Sequence, residues 1–261
     1  MAHALSQIST TTYLVGSGKG GVGKSTVAVN LAVALAKIGL SVGLLDADLY
    51  GPSVPIMMGL RRLTPQSEVD ADGKEMITPF FKFGVKILSL GFFIEEARSI
   101  VWRGPMLHTT IQKFIQNIFW GHLDVLLIDL PPGTGDIPLS LSQLLTITGA
   151  LIVSTPQEVA ILDVIKVMNA FHQLEIPIVG LIENMAGFTA PDTGHTYALF
   201  GEGKVDDLAR RFQTSLLGRI PFHPSIRIGG DEGVPAAFHS GQAGDPFHLI
   251  ARELLQQSPT Y

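Results

Sequence analysis

The amino-acid sequence predicts an α/β fold, a mostly parallel sheet with helices on both faces. Three observations predict it. Short, continuous runs of Val, Ile and Leu recur along the chain, the pattern of strands buried on both sides. Stretches with helical spacing lie between them, the alternation of a βαβ architecture. Hydrophobic residues make up 46% and charged residues 16% of a 261-residue chain, which suits a single well-filled core rather than disorder. One domain over residues 1–261 is expected.

The elements follow in order. Tyr13 to Gly16 reads as the end of a first strand entering a glycine loop. From Lys24 to Ile38 the apolar residues Val27, Leu31, Ala34, Leu35 and Ile38 keep helical spacing, and Gly39 ends the run. Further strands are expected at Ser41 to Leu45, Val85 to Leu90, Val125 to Ile128, Ala150 to Ser154, Ile178 to Ile182 and Leu216 to Ile220. Helices are expected from Glu158 to Leu174 and from Leu249 to Gln256. Arg61 to Lys82 holds Pro65, Gly73 and Pro79 among polar residues, and reads as a hairpin or a mobile loop.

Composition excludes several classes. There are 18 basic and 23 acidic residues, a net charge of −5, and no basic run, so a nucleic-acid surface is not indicated. No apolar stretch has the length of a membrane span, and the tail from Leu249 to Tyr261 carries one basic residue, Arg252, which disfavours a basic amphipathic anchor. Met1 to Thr12 lacks a basic segment followed by an apolar one, so a secretory leader is not expected and the cytoplasm is the expected compartment. Cysteine is absent, which removes disulfides, thiolate metal sites and a cysteine nucleophile together.

The strongest chemical signal is Gly18-Lys19-Gly20-Gly21-Val22-Gly23-Lys24-Ser25-Thr26. It fits G-x-x-x-x-G-K-[ST] between an expected strand and an expected helix. Glycines let the backbone wrap a phosphate with its N–H groups turned inward, and the helix N-terminus adds partial positive charge. Lys24 is the expected partner of the β- and γ-phosphates of ATP, Ser25 of Mg²⁺, and Thr26 of the α-phosphate. Asp46 and Asp48 close the second strand one residue apart; alone, such a pair reads equally well as a turn. Asp129 ends the apolar run Val125 to Ile128, the place of a carboxylate that holds water on Mg²⁺. A Pro/Gly loop follows it, Leu130 to Asp136.

Lys19 within this loop resembles the deviant Walker A motif of the family that includes MinD, ParA, the nitrogenase iron protein and Mrp. The resemblance implies a homodimer in which Lys19 crosses to the partner's nucleotide. It implies that Asp48 orients the attacking water, that Asp46 supports the Mg²⁺ shell, and that Gly133 donates its N–H to the γ-phosphate. It also implies that Asn184, in Ile182-Glu183-Asn184-Met185, reads the adenine edge, with Pro221 of Gly218 to Phe222 covering the base. An isolated strand-end asparagine is more often a turn residue.

Longer segments resemble the Mrp branch: Leu45 to Pro55, Trp102-Arg103-Gly104-Pro105-Met106, Asp129 to Asp136, Thr155 to Ala160, Phe200 to Gly203 and Gly229 to Gly233. The first strand begins almost at once, so the small N-terminal domain of many bacterial members is not expected. Mrp proteins carry a [4Fe–4S] cluster on a Cys-x-x-Cys pair from each subunit. Here Ala190-Pro191-Asp192-Thr193 stands in that place. Three explanations stay open: a natural member that lost its cluster site, an engineered variant, or other ligands such as His195. The expected function is a Mg²⁺-dependent, slow ATPase of iron–sulfur cluster carriage or assembly, with client or assembly proteins as partners. The alternative is a MinD- or ParA-like partner-binding switch; a ligase with a second substrate pocket finds no support.

Overall fold

The computed structural model describes residues 11–69, 73–93 and 104–257. Trp102 and Arg103 lie outside them, as do residues 1–10 and the last four of the tail, on which the leader and anchor expectations partly rest.

The elements run β1 (Thr11–Ser17), α1 (Lys24–Lys37), β2 (Val42–Asp46), α2 (Val54–Met57), β3 (Ser67–Val69), β4 (Glu75–Ile77), β5 (Phe80–Lys82), β6 (Val85–Ser89), α3 (Gly104–Gln116) and β7 (Val125–Asp129). They continue with α4 (Asp136–Leu144), β8 (Gly149–Ser154), α5 (Glu158–Gln173), β9 (Ile178–Asn184), β10 (Phe188–Thr189), β11 (Thr196–Tyr197), α6 (Lys204–Arg211), β12 (Ser215–Ile220), α7 (Pro224–Glu232) and α8 (Asp245–Gln257). Eight strands form one sheet in the order β12-β9-β8-β1-β7-β2-β6-β5. Only the edge strand β5 is antiparallel, to β6. The expected α/β class and mostly parallel sheet are what the chain forms.

Strand residues alternate between two cores. Tyr13 and Val15 face the side covered by α1 and α8, while Leu14 faces α3, α4, α5 and α6. The seven parallel strands read as unbroken apolar runs because both faces are covered. Arg61 to Lys82 contains the hairpin β3–β4 and then β5.

Several boundaries differ from the sequence expectation. Ile38 is not core: it caps α1 and is exposed. The last helix begins at Asp245, whose carboxylate accepts from the Gly241 N–H, and Pro246 suits a first turn. Strands β2, β7 and β9 run one or two residues further, so Asp46, Asp129 and Asn184 are the last residues of their strands.

Candidate nucleotide site

The chain leaves β1 for β2 on one side and later adds β8 on the other, so the carboxyl end of β1 is a topological switch point, where α/β sheets bind ligands. The loop Gly18 to Gly23 sits there. It leads into α1, whose first turn has no side-chain cap and no acidic residue. The first backbone N–H groups of a helix lack intrahelical partners, so this end is built to meet an anion. Gly23 adopts φ 84°, and a Cβ there would lie 2.2 Å from the Asn184 amide nitrogen. Only glycine satisfies both conditions.

Sheet register lines up the polar strand ends. Asp46 pairs with Asp129 on one side and with Ser89 on the other. Lys24 Nζ lies 2.6 Å from Asp129 Oδ1, 3.1 Å from Ser25 Oγ and 4.0 Å from Asp48 Oδ2. Lys24 and Asp129 are both buried. Asp129 Oδ2 is buried with no hydrogen-bond partner among the described residues. Burial pushes the Asp129 carboxyl above its usual range, against the pull of Lys24.

Asp46 is fully buried. Its Oδ1 accepts from the Asp48 N–H at 3.0 Å; its Oδ2 accepts from the Ser89 hydroxyl at 2.9 Å and the Val54 N–H at 3.3 Å. Burial, then the charge of Asp129, push its pKa up to about 8, against the Asp48 N–H, the Ser89 hydroxyl and the charge of Lys24. Asp46 thus anchors the loop between β2 and α2. Asp48 accepts from the N–H groups of Tyr50 and Gly51 through Oδ1, which leaves Oδ2 facing Lys24. The Gly133 N–H is donated to the Ser17 carbonyl at 2.9 Å, so a phosphate could claim it only if that bond were given up.

Asn184 donates to the Val22 carbonyl at 2.8 Å, tying β9 to the glycine loop. Beside it lies a cavity of about 400 Å³ whose lining includes Thr26, Met57, Asn184, Pro221 and Ile226. The structure therefore brings together Lys24, Ser25, Asp46, Asp48 and Asp129 at one end and Thr26, Asn184 and Pro221 at the other. Lys19 is partly exposed, and no partner of its side chain is found among the described residues.

Sequence reading missed Ser89, Met57, Ile226 and Met185. Ser89 closes an apolar strand as Asp46 and Asp129 do, which is a readable signal. Met185 takes φ 56° in the cavity wall, which nothing in a sequence announces.

The Ala190–Thr193 segment is the tip of the β10–β11 hairpin. The Ala190 N–H donates to the His195 carbonyl, the Gly194 N–H to the Ala190 carbonyl, and the two Thr189 and Thr196 hydroxyls lie 2.9 Å apart. His195 stacks edge-on with Tyr197 at 4.6 Å. No group of three or more His, Cys, Asp or Glu able to hold a metal ion occurs among the described residues. No helix among them is long and apolar enough to cross a membrane.

Comparison with known proteins gives the family and the fold. The profile of one family, described as ParA: NUBPL iron-transfer P-loop NTPase, matches residues 9–255. The chain is 47% identical over 245 residues to an iron–sulfur cluster carrier protein of Aquifex aeolicus, covering 93% of this chain and 66% of that protein. It is 43% identical to the iron–sulfur cluster transfer protein NUBPL of Dictyostelium discoideum, covering 93% of this chain and 75% of that one. The chain thus spans about two thirds to three quarters of the length of these relatives. Among solved structures, a nucleotide-binding protein of Archaeoglobus fulgidus in complex with ADP matches with a TM-score of 0.75 and 39% identity, covering 88% of each chain. The cell-division ATPase MinD of Pyrococcus furiosus shares the fold, with a TM-score of 0.70 at 22% identity over 95% of this chain and 99% of that one. On the profile match and on identities above 40% over most of its length, this chain belongs to the NUBPL iron-transfer family of P-loop NTPases.

Proposed function

We propose that this chain binds and hydrolyses ATP at the Gly18–Thr26 loop, as a homodimer. It serves iron–sulfur client or assembly proteins as a nucleotide-driven partner, without holding a cluster on thiolates of its own. The convergence of Lys24 on Asp129 and Asp48 carries the ATPase reading.

In this reading Lys24 exchanges Asp129 for the β- and γ-phosphate oxygens. Backbone N–H groups of Gly20 to Ser25 hold the remaining phosphate oxygens, and Thr26 lines the α-phosphate. Asp48 Oδ2 orients a water for in-line attack on the γ-phosphorus; the bond to the β-phosphate bridging oxygen breaks, leaving ADP and phosphate. Ser25 and Asp129 would hold Mg²⁺, which neutralises phosphate charge when bound; the partnerless, buried Asp129 Oδ2 suits that use. Asp46 acts on Asp48 through its hydrogen bond rather than on the metal directly. Gly133 meets the γ-phosphate once its N–H leaves Ser17. Asn184 and Pro221 bound the adenine.

The cargo in the relatives' names is an iron–sulfur cluster, and such clusters are held by cysteine thiolates. This chain has none, and its hairpin tip is closed by backbone and threonine hydrogen bonds. Anaerobic reconstitution of the purified protein with iron and sulfide is expected to leave no stoichiometric cluster absorbance or acid-labile sulfide. A stable cluster would sink the claim that the chain holds none, while leaving the ATPase reading to its own assay.

Lys19→Ala is expected to abolish ATP-dependent dimerisation, seen by sedimentation, while ATP still binds. Dimer formation untouched by this change would count against Lys19 crossing to a second copy.

A further inference from the structure

Two short helices face each other across the 400 Å³ cavity. Helix α2 and the residue before it supply Ser53, Ile56 and Met57; α7 supplies Ile226, Arg227 and Asp231. Their C-terminal ends lie in contact, backbone against backbone. Gly59, one residue past the α2 cap, has φ 60°, and Gly233, the cap of α7, has φ 74°. A Cβ on Gly233 would lie 2.4 Å from Gly59 Cα and 2.6 Å from Gly59 N, so no side chain fits between them. Lys82 Nζ donates to the Gly59 carbonyl at 3.2 Å from outside. The other end of α2 is fixed as well: the Val54 N–H donates to Asp46 Oδ2, which also receives Ser89.

Helix α2 is therefore a strut. One end rests on the carboxylate that holds the Asp48 turn. The other rests on the far wall of the cavity. A rigid four-residue helix cannot shift at one end without shifting at the other.

We propose that Gly59 and Gly233 are positioning residues through which the nucleoside half of the ligand sets the Asp46–Asp48 turn, so that a base in the cavity is needed for full hydrolysis. This rests on the nucleotide reading above. Filling the cavity presses on α2 and α7 together, and the glycine contact passes that displacement to Val54 and Asp46. A triphosphate without a base reaches Lys24 but leaves the strut unloaded.

The test compares ATP with inorganic triphosphate on the full chain, by calorimetry and phosphate release. The unaltered protein is expected to hydrolyse ATP faster, in kcat, than triphosphate. Gly233→Ala inserts a methyl group into the contact and strains the αL cap. It is expected to lower kcat for ATP about tenfold, towards the triphosphate value, while triphosphate affinity stays within about twofold. Lys82→Met, which leaves the glycines intact and removes the outer brace together with the contact of Nζ on the Phe83 ring, is expected to move kcat in the same direction by about threefold and guards against misfolding of the first variant. If both variants keep the full preference for ATP, or lose both ligands in equal measure, the strut is overturned and the nucleotide reading stands. If the unaltered protein binds neither ligand, both fall.

Discussion

Lys24→Ala will reduce ATP turnover by at least about a hundredfold, the scale of losing a preorganised charge aimed at a transition state. The argument is geometric. Lys24 Nζ is the cation that the structure sets between Asp129 and Asp48, at the mouth of an uncapped helix. Removing it takes away the charge proposed to meet the phosphates and leaves Asp129 buried without its counter-ion. Breaking one side of a buried pair commonly costs about 3–5 kcal/mol, and here Asp129 will soften that loss by taking up a proton. Phosphate release reports the first effect and chemical denaturation without nucleotide the second. Lys24→Met keeps the packing of the stem and should show the same catalytic loss. Undiminished turnover in either variant rejects the loop assigned here.

The second large effect is expected from Asp46→Asn. Both oxygens of Asp46 accept hydrogen bonds, two of them from backbone N–H groups. An asparagine must turn its NH₂ towards one of those donors, leaving a buried N–H unpaired, at about 1–3 kcal/mol. The pH dependence gives a sharper reading. The folded pKa of Asp46 is pushed up to about 8 from 3.8, so between these values the folded state holds a proton that the unfolded chain has released. Stability of the unaltered protein therefore falls as pH rises from about 4 towards about 8, and levels off above. The variant lacks this contribution, so the advantage of the unaltered protein should be widest at about pH 4 and shrink steadily as pH rises towards 8. Denaturation curves without added divalent metal measure it. A gap that does not change with pH would remove the case for a perturbed carboxyl at this position.

Much of this site was legible before any fold was known, because buried parallel strands write themselves as unbroken apolar runs and a charge at the end of such a run is conspicuous. Asp129 after Val125 to Ile128, and Asp46 after Ser41 to Leu45, were found in that way. The glycine loop was legible because its spacing sits between a strand and a helix. Helices α2, α3, α4, α6 and α7 were not read. Helix α2 has four residues, too few for a period. Helix α7 carries Gly229 and Gly230, which local propensity counts against a helix, yet tertiary contact with α2 holds it. The tether from Asn184 to Val22 joins residues far apart in sequence, and no local pattern reports it. The division of labour between Asp46 and Asp48 was equally hidden, since it depends on Ser89 and Val54 arriving at one carboxylate.

The alignment of Asp46, Ser89 and Asp129 across three neighbouring strands has a wider consequence. The sheet is the ruler of this site. Hydrogen-bond register, not loop conformation, sets how far Lys24 must reach, and a slip of one residue in β2 or β7 would turn its carboxylate to the opposite face. Core positions well away from the phosphates are therefore tuning positions. Gly43 is one: a Cβ there would lie 2.7 Å from Leu123 Cδ1 and 3.2 Å from Trp120 Cζ3, so a larger residue would force the side chains packed under β2 to shift three positions before Asp46. Chemistry and folding here share one scale, and whatever loosens the strands blurs both at once.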